Sequence, residues 1–245
     1  MKKDKLCGIN FHSISKDNLI HELRNDIIKN IKNNHMSITN SEACFIASND
    51  KKHFDYINNA KFSLCDGVGI KIAAKFNKIN IKRYYGPDAF WDIIEAGQNY
   101  GWTHYLLGGQ QGIAEKLTSK INLQFPNAQI LGNYSPPFSP KPILPEDIIM
   151  EINSLKPDFI WVSLGLPKGE QFIMRYKTRL NCNYITHIGA AFDFHTDNVI
   201  RAPKFFQKIG LEWFYRTLFE RRLIIRQIRG FKFMFSAILN NKSFF

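Results

Sequence analysis

No stretch of about 18 apolar residues occurs in the sequence, so nothing in it predicts a helix that crosses a bilayer. Its basic start, "MKKDKLCGINFHSI", lacks the apolar segment of a secretory signal. Cysteine is sparse: Cys7, Cys44, Cys65 and Cys182 stand far apart with no CxxC pair. That spacing argues against both a zinc site and a secreted disulfide framework, and it points to a reducing, cytoplasmic compartment. HExxH is absent, as is the Walker A loop with its lysine, which disfavours an ATPase. No GxGxxG with an acidic residue ~20 positions later follows the first strand, which disfavours a nucleotide-dependent oxidoreductase. There is no DxD triplet either, so the usual clamp for a metal on a sugar diphosphate is missing and arginine is the obvious cation to replace it. No metal or cofactor is expected.

Acidic residues are outnumbered, 21 against 33 Lys and Arg, giving the 245-residue chain a formal charge of +12 that attracts phosphates. The excess is localised. Residues 201–245 hold ten of the basic residues and only Glu212 and Glu220 on the acidic side, with aromatics crowded in "KFFQKIGLEWFYRTLFERR" and "RGFKFMF". A basic, aromatic, amphipathic segment of this kind reads as an element that seats on an anionic membrane surface. Nucleic-acid binding would instead spread basic residues along a groove, and no nucleic-acid partner is expected.

Short apolar runs alternate with helical segments: "THYLLGG" then "QQGIAEKLTSKINLQF", "AQILGNY" then "PEDIIMEINSLK", "DFIWVSLG" then "KGEQFIMRYKTRL", and "YITHIGAAFDF". This rhythm predicts an α/β fold, a Rossmann-like, largely parallel sheet with helices on both faces and binding sites at the carboxyl ends of its strands. The sheet should begin near residue 35, with a strand and helix added before it. From Arg201 the alternation stops. The boundaries are therefore 1–200 for the α/β domain and 201–245 for a helical appendage.

Several strand ends hold candidate site residues. "KFSLCDGVGIK" sets Asp66 before Gly67, where it is either a reactive carboxylate or a cap for the helix that follows. "LLGGQQGIAEKL" places Gly108, Gly109 and Gly112 where backbone N–H groups can face a phosphate, or where a tight turn is needed. "SLGLPKGEQF" offers Gly165, Lys168, Glu170 and Gln171; Pro167 and Glu170 are also ordinary helix-starting chemistry. "HIGAAFDFHTDN" offers Phe192 and Asp193, the latter either a hydroxyl acceptor or a turn cap. His187, inside a strand, reads as a packed core residue.

Taken in order from about residue 36 to residue 230, these motifs resemble the WecG/TagA/CpsF family of bacterial glycosyltransferases. The blocks are "ITNSEACFIASND", "CDGVGI", "RYYGPD", "GGQQGIAE", "LGNYSPPF", "GLPKGEQF", "GAAFDF", "RAP" and "GLEWFYR". One departure is that Gly169 stands where the family turn has glutamine. The resemblance implies an inverting, metal-independent transfer of an N-acetylmannosamine-type or related sugar from a UDP-sugar to a polyprenyl-diphosphate-linked sugar. That reaction serves cell-surface polysaccharides such as teichoic acid or capsule, and it places the protein on the inner face of the cell membrane. It implies Asp66 as catalytic base with Arg216 and Arg222 as catalytic cations. It adds Thr39, Asn40, Gly67, Arg83, Glu115, Tyr134 and Arg226 to the substrate-binding residues named above. It leaves room for a homo-oligomer.

Overall fold

The computed structural model describes residues 3–198, 203, 215, 217 and 223–245. Six parallel strands form the sheet: β3 (Asn34–Thr39), β4 (Phe62–Cys65), β5 (Thr103–Gly108), β6 (Gln129–Tyr134), β7 (Phe159–Ser163) and β8 (Tyr184–His187), in the spatial order β4-β3-β8-β7-β5-β6. Strands β4, β7 and β8 are buried along their whole length, as expected where helices cover both faces. The helices are α1 (Lys16–Ile28), α2 (Ser41–Ala47), α3 (Lys51–Asn58), α4 (Val68–Phe76), α5 (Gly86–Tyr100), α6 (Ile113–Gln124), α7 (Glu146–Leu155), α8 (Lys168–Tyr176), α9 (Ala191–His195) and α10 (Ile224–Leu239). Polar caps start the early ones: Ser15, Asn40 and Asp50 accept from the N–H groups of Asn18, Ala43 and Lys52.

Each face of the sheet has its own core. Leu19 and Leu23 of α1, Phe90 and Ile93 of α5, Leu117 of α6 and Phe192 of α9 pack with Trp161 and Tyr184 on one side. On the other, Cys44, Ile57, Ile70, Ile152 and Ile173 of α2, α3, α4, α7 and α8 surround Val162 and Ile185. Helices α6 and α8, which follow the adjacent strands β5 and β7, therefore lie on opposite faces and leave a crevice between those strand ends, the usual ligand position in such sheets.

The chain before the sheet differs from expectation. In place of one added strand there is an antiparallel hairpin, β1 (Lys3–Leu6) and β2 (Ile9–His12), ahead of α1. His12 Nδ1 accepts from Ser63 N–H, so the hairpin covers the edge at β4. The strand expected through "YITHIGAAFDF" stops at His187, and Ala191–His195 turns into α9. The described part of the C-terminal appendage is mainly helix α10, which lies against α2 and α4, followed by the irregular residues 240–245. Its Phe233 and Ala237 are buried within the second core, and Asn77 donates to Ala237 O.

Candidate active site

All the candidate strand ends open at the same edge of the sheet. At the tip of β4, Asp66 donates its N–H to Thr39 O on β3, and Arg83 Nε donates to Asp66 O at 2.7 Å. The Asp66 carboxylate accepts from Gly86 N–H at 3.2 Å, at the start of α5, and its Oδ1 lies 4.0 Å from the Arg83 guanidinium. Helix α4, which follows Asp66, begins at Gly67 without a side-chain cap. Asp66 is thus not the cap of the next helix; it stands at the positive end of a later one. Its side chain stays about one-fifth exposed, as does that of Arg83 at one-quarter. A helix start and an arginine beside a carboxylate that keeps about one-fifth of its surface open make a polar site that a substrate hydroxyl can reach.

The glycine turn is built by close approach. A Cβ on Gly108 would sit 2.4 Å from Ser163 O, and Gly109 donates its N–H to that oxygen, so backbone from β5 and β7 closes directly at the crevice. Both glycines have positive φ, as does Gly112, the N-cap of α6. Gly112 and Glu115 in the first turn of α6 are exposed. Ser135, following Tyr134 at the end of β6, ties its hydroxyl to Gly108 O.

The β7 to α8 turn divides its residues. Lys168 donates to Ser139 O at 3.0 Å with its ammonium 4.4 Å from the Phe138 ring, while Gly165 and Gln171 are exposed. Glu170 points inward, 1% exposed, with the His53 Nε2 3.8 Å away. A Cβ on Gly169 would meet His187 Cδ2 at 2.1 Å, so the imidazole fills the space that a side chain at this position would need. His187 is a core residue, held neutral: burial, then the Arg226 charge, lowers its pKa to about 4 against an opposing bond to Leu164 O.

Two further candidates are buried. Thr39 bonds the Ser37 hydroxyl at 2.8 Å, and Phe192 packs beneath Gly109. Asn40 caps α2, and Asp193 accepts from the Asn198 amide at 2.9 Å, the turn-capping alternative. Arg226 donates to Glu42 at 2.6 Å. Arg216 and Arg222 lie outside the described residues. Sequence reading passed over Glu42 because an acid in a first helical turn is unremarkable until its burial is known.

The profile of the glycosyl transferase WecG/TagA/CpsF family matches residues 5–244. The chain is also 29% identical over 184 residues, 75% of its length and 70% of the relative's, to the N-acetylglucosaminyldiphosphoundecaprenol N-acetyl-beta-D-mannosaminyltransferase of Bacillus subtilis (strain 168).

Proposed function

Because the chain belongs to the WecG/TagA/CpsF family and is a glycosyltransferase, we propose that it transfers an N-acetylmannosamine-type or related hexose from a UDP-sugar to a polyprenyl-diphosphate-linked sugar. The observation behind this reading is the half-open Asp66 carboxylate, framed by Arg83 and the start of α5 at the strand tips. Asp66 takes the proton of the acceptor hydroxyl as that oxygen attacks the anomeric carbon. The bond from that carbon to the UDP oxygen breaks on the opposite face, and its electron pair leaves with the diphosphate. One displacement inverts the anomeric centre. Basic side chains at the strand tips and in the C-terminal segment, Arg216 and Arg222 among them, neutralise the departing charge.

Mass spectrometry of UDP-sugars mixed with a short-chain polyprenyl-diphosphate sugar tests the transfer, and proton NMR of the product reads its anomeric configuration. Product with the donor's anomeric configuration retained would refute the single displacement. Turnover should persist in EDTA, since arginine and lysine replace a metal in this mechanism. Full loss in chelator, restored by Mn²⁺, would overturn the metal-independent step.

The protein, on this reading, works at an anionic membrane surface. Among the described residues no helix is long and apolar enough to cross a membrane. Yet Ile225 and Phe235 on α10 are 62% and 58% exposed, Phe76 on the neighbouring α4 is 68% exposed, and Arg229 and Lys232 lie on α10 itself. The combination fits interfacial seating. Pelleting with phosphatidylglycerol vesicles should exceed pelleting with phosphatidylcholine and fall when Ile225 and Phe235 are both changed to Asp; equal pelleting throughout would remove the membrane element.

A further inference from the structure

Glu42 lies two residues beyond the Asn40 cap, directly behind the strand end that bonds Asp66. Its side chain is 7% exposed, and two arginines from α10 reach it: Arg226 Nε at 2.6 Å and Arg229 at 3.6 Å. A carboxylate favouring the positive end of α2 would not need either of them. The charge of Glu42 is also felt by the buried Glu170 of α8.

The backbone contacts beside this pair are tight. A Cβ on Gly230 of α10 would lie 3.3 Å from Ser41 Cβ, and one on Gly69 of α4 would lie 2.6 Å from Ser41 Oγ and 3.6 Å from Met234 Sδ. Three helices therefore meet closely around Ser41, the residue adjacent to Glu42. With Glu42 buried and the arginines 39% and 44% exposed, the ion pair adds little net stability, and its use lies in position. Leu223, at the start of α10, is 4% exposed, and Arg222 precedes it in sequence.

We propose that Glu42 is a positioning residue for transfer: by holding Arg226 and Arg229 it fixes the start of α10 against α2, the helix that leaves the end of β3 to which Asp66 is bonded. The inference rests on the transfer reaction proposed above for its assay. It gives the carboxylate of Glu42 an effect on the rate of transfer through the placement of α2 and α10, without any contact with substrate.

The test compares Glu42→Gln, Glu42→Asp, Arg226→Gln and the double variant Glu42→Gln/Arg226→Gln in the full chain. Loss of position at this distance is expected to lower kcat roughly 10- to 100-fold in Glu42→Gln, with UDP affinity measured by calorimetry unchanged. Arg226→Gln should lose as much, the double variant no more than either, and Glu42→Asp should recover most of the rate. Amide hydrogen exchange should quicken at residues 224–230 and stay unchanged in β5 and β7. A Glu42→Gln protein with wild-type kcat, losses that add in the double variant, or unchanged exchange at 224–230 would each overturn the inference. If Glu42→Gln fails to fold, Arg226→Gln, whose side chain is 39% exposed, gives the same readings. Absence of transfer by the wild-type chain would instead refute the proposed reaction, and the exchange measurement would still decide whether Glu42 holds α10.

Discussion

Replacing Asp66 by Asn is expected to lower kcat by about 10²- to 10⁴-fold, the usual contribution of a general base, while UDP binding and thermal stability stay close to wild type. The amide oxygen of Asn can still accept from Gly86 N–H, and Arg83 still donates to the backbone carbonyl of residue 66. The variant therefore removes basicity without removing the bonds that hold the turn. Stopped assays of transfer beside a melting curve separate the two effects. A variant retaining more than about a tenth of the wild-type rate would leave Asp66 with its role at the start of α5 alone.

A second large effect concerns pH. Glu170 is driven up to about 8 by burial first and by the Glu42 charge second. The groups facing it are Glu42 and Cys44 from α2 and His53 and Tyr56 from α3. An acid whose folded pKa is raised binds its proton more tightly in the folded state, so stability is present at low pH and drains away between 4.5 and about 8. Four buried histidines act in the other direction: burial lowers His12, His35 and His187 to about 4 and His104 to about 3. Lys177 reinforces the effect at His35, and Arg226 at His187. Their contribution is complete above 6.5 and is lost as pH falls toward the folded values. Four slopes exceed one below 6.5, and of these five groups only Glu170 still contributes a slope above it. Stability should therefore peak near pH 6.5 and decline by about 2 kcal/mol toward pH 8. Glu170→Gln should flatten that decline and be the more stable protein above pH 8. Urea midpoints measured from pH 5 to 9 decide it, and a decline of wild-type size in Glu170→Gln would assign the slope to another group.

Much of this arrangement could be read from residue order. The alternation of apolar runs and helical segments located all six strands of the main sheet, because a parallel strand buried on both sides is a short continuous apolar run with little else to confuse it. The hairpin before it was harder. In "KDKLCGINFH" the turn is made by Cys7 and Gly8, both at positive φ, and a cysteine gives no turn signal. Helix α9 was read as strand because "GAAFDF" is too short for a helical period to show.

At the site, motif order brought the strand tips together, but side-chain direction was beyond it. Glu170 and Gln171 are adjacent in sequence, yet one faces the core and the other solvent, and only packing decides which. Glu42 stayed hidden for a related reason: its partners lie some 184 residues away, on a segment that composition alone marks as a surface element. A helix that looks membrane-directed from its charges and aromatics also supplies Phe233 and Ala237 to the interior.

That last feature sets an order of events during synthesis. The face of the sheet covered by α1, α5, α6 and α9 has all its described helices once residue 195 has been made. The opposite face waits for Phe233 and Ala237, and the β1–β2 turn waits longer still, since Cys7 N–H is satisfied by Asn241 Oδ1 at 2.6 Å. A nascent chain thus presents one finished and one open apolar surface until residues 233–241 have left the ribosome. Contacts that span so much sequence close slowly, and an open sheet face is what chaperones bind and what aggregates in their absence.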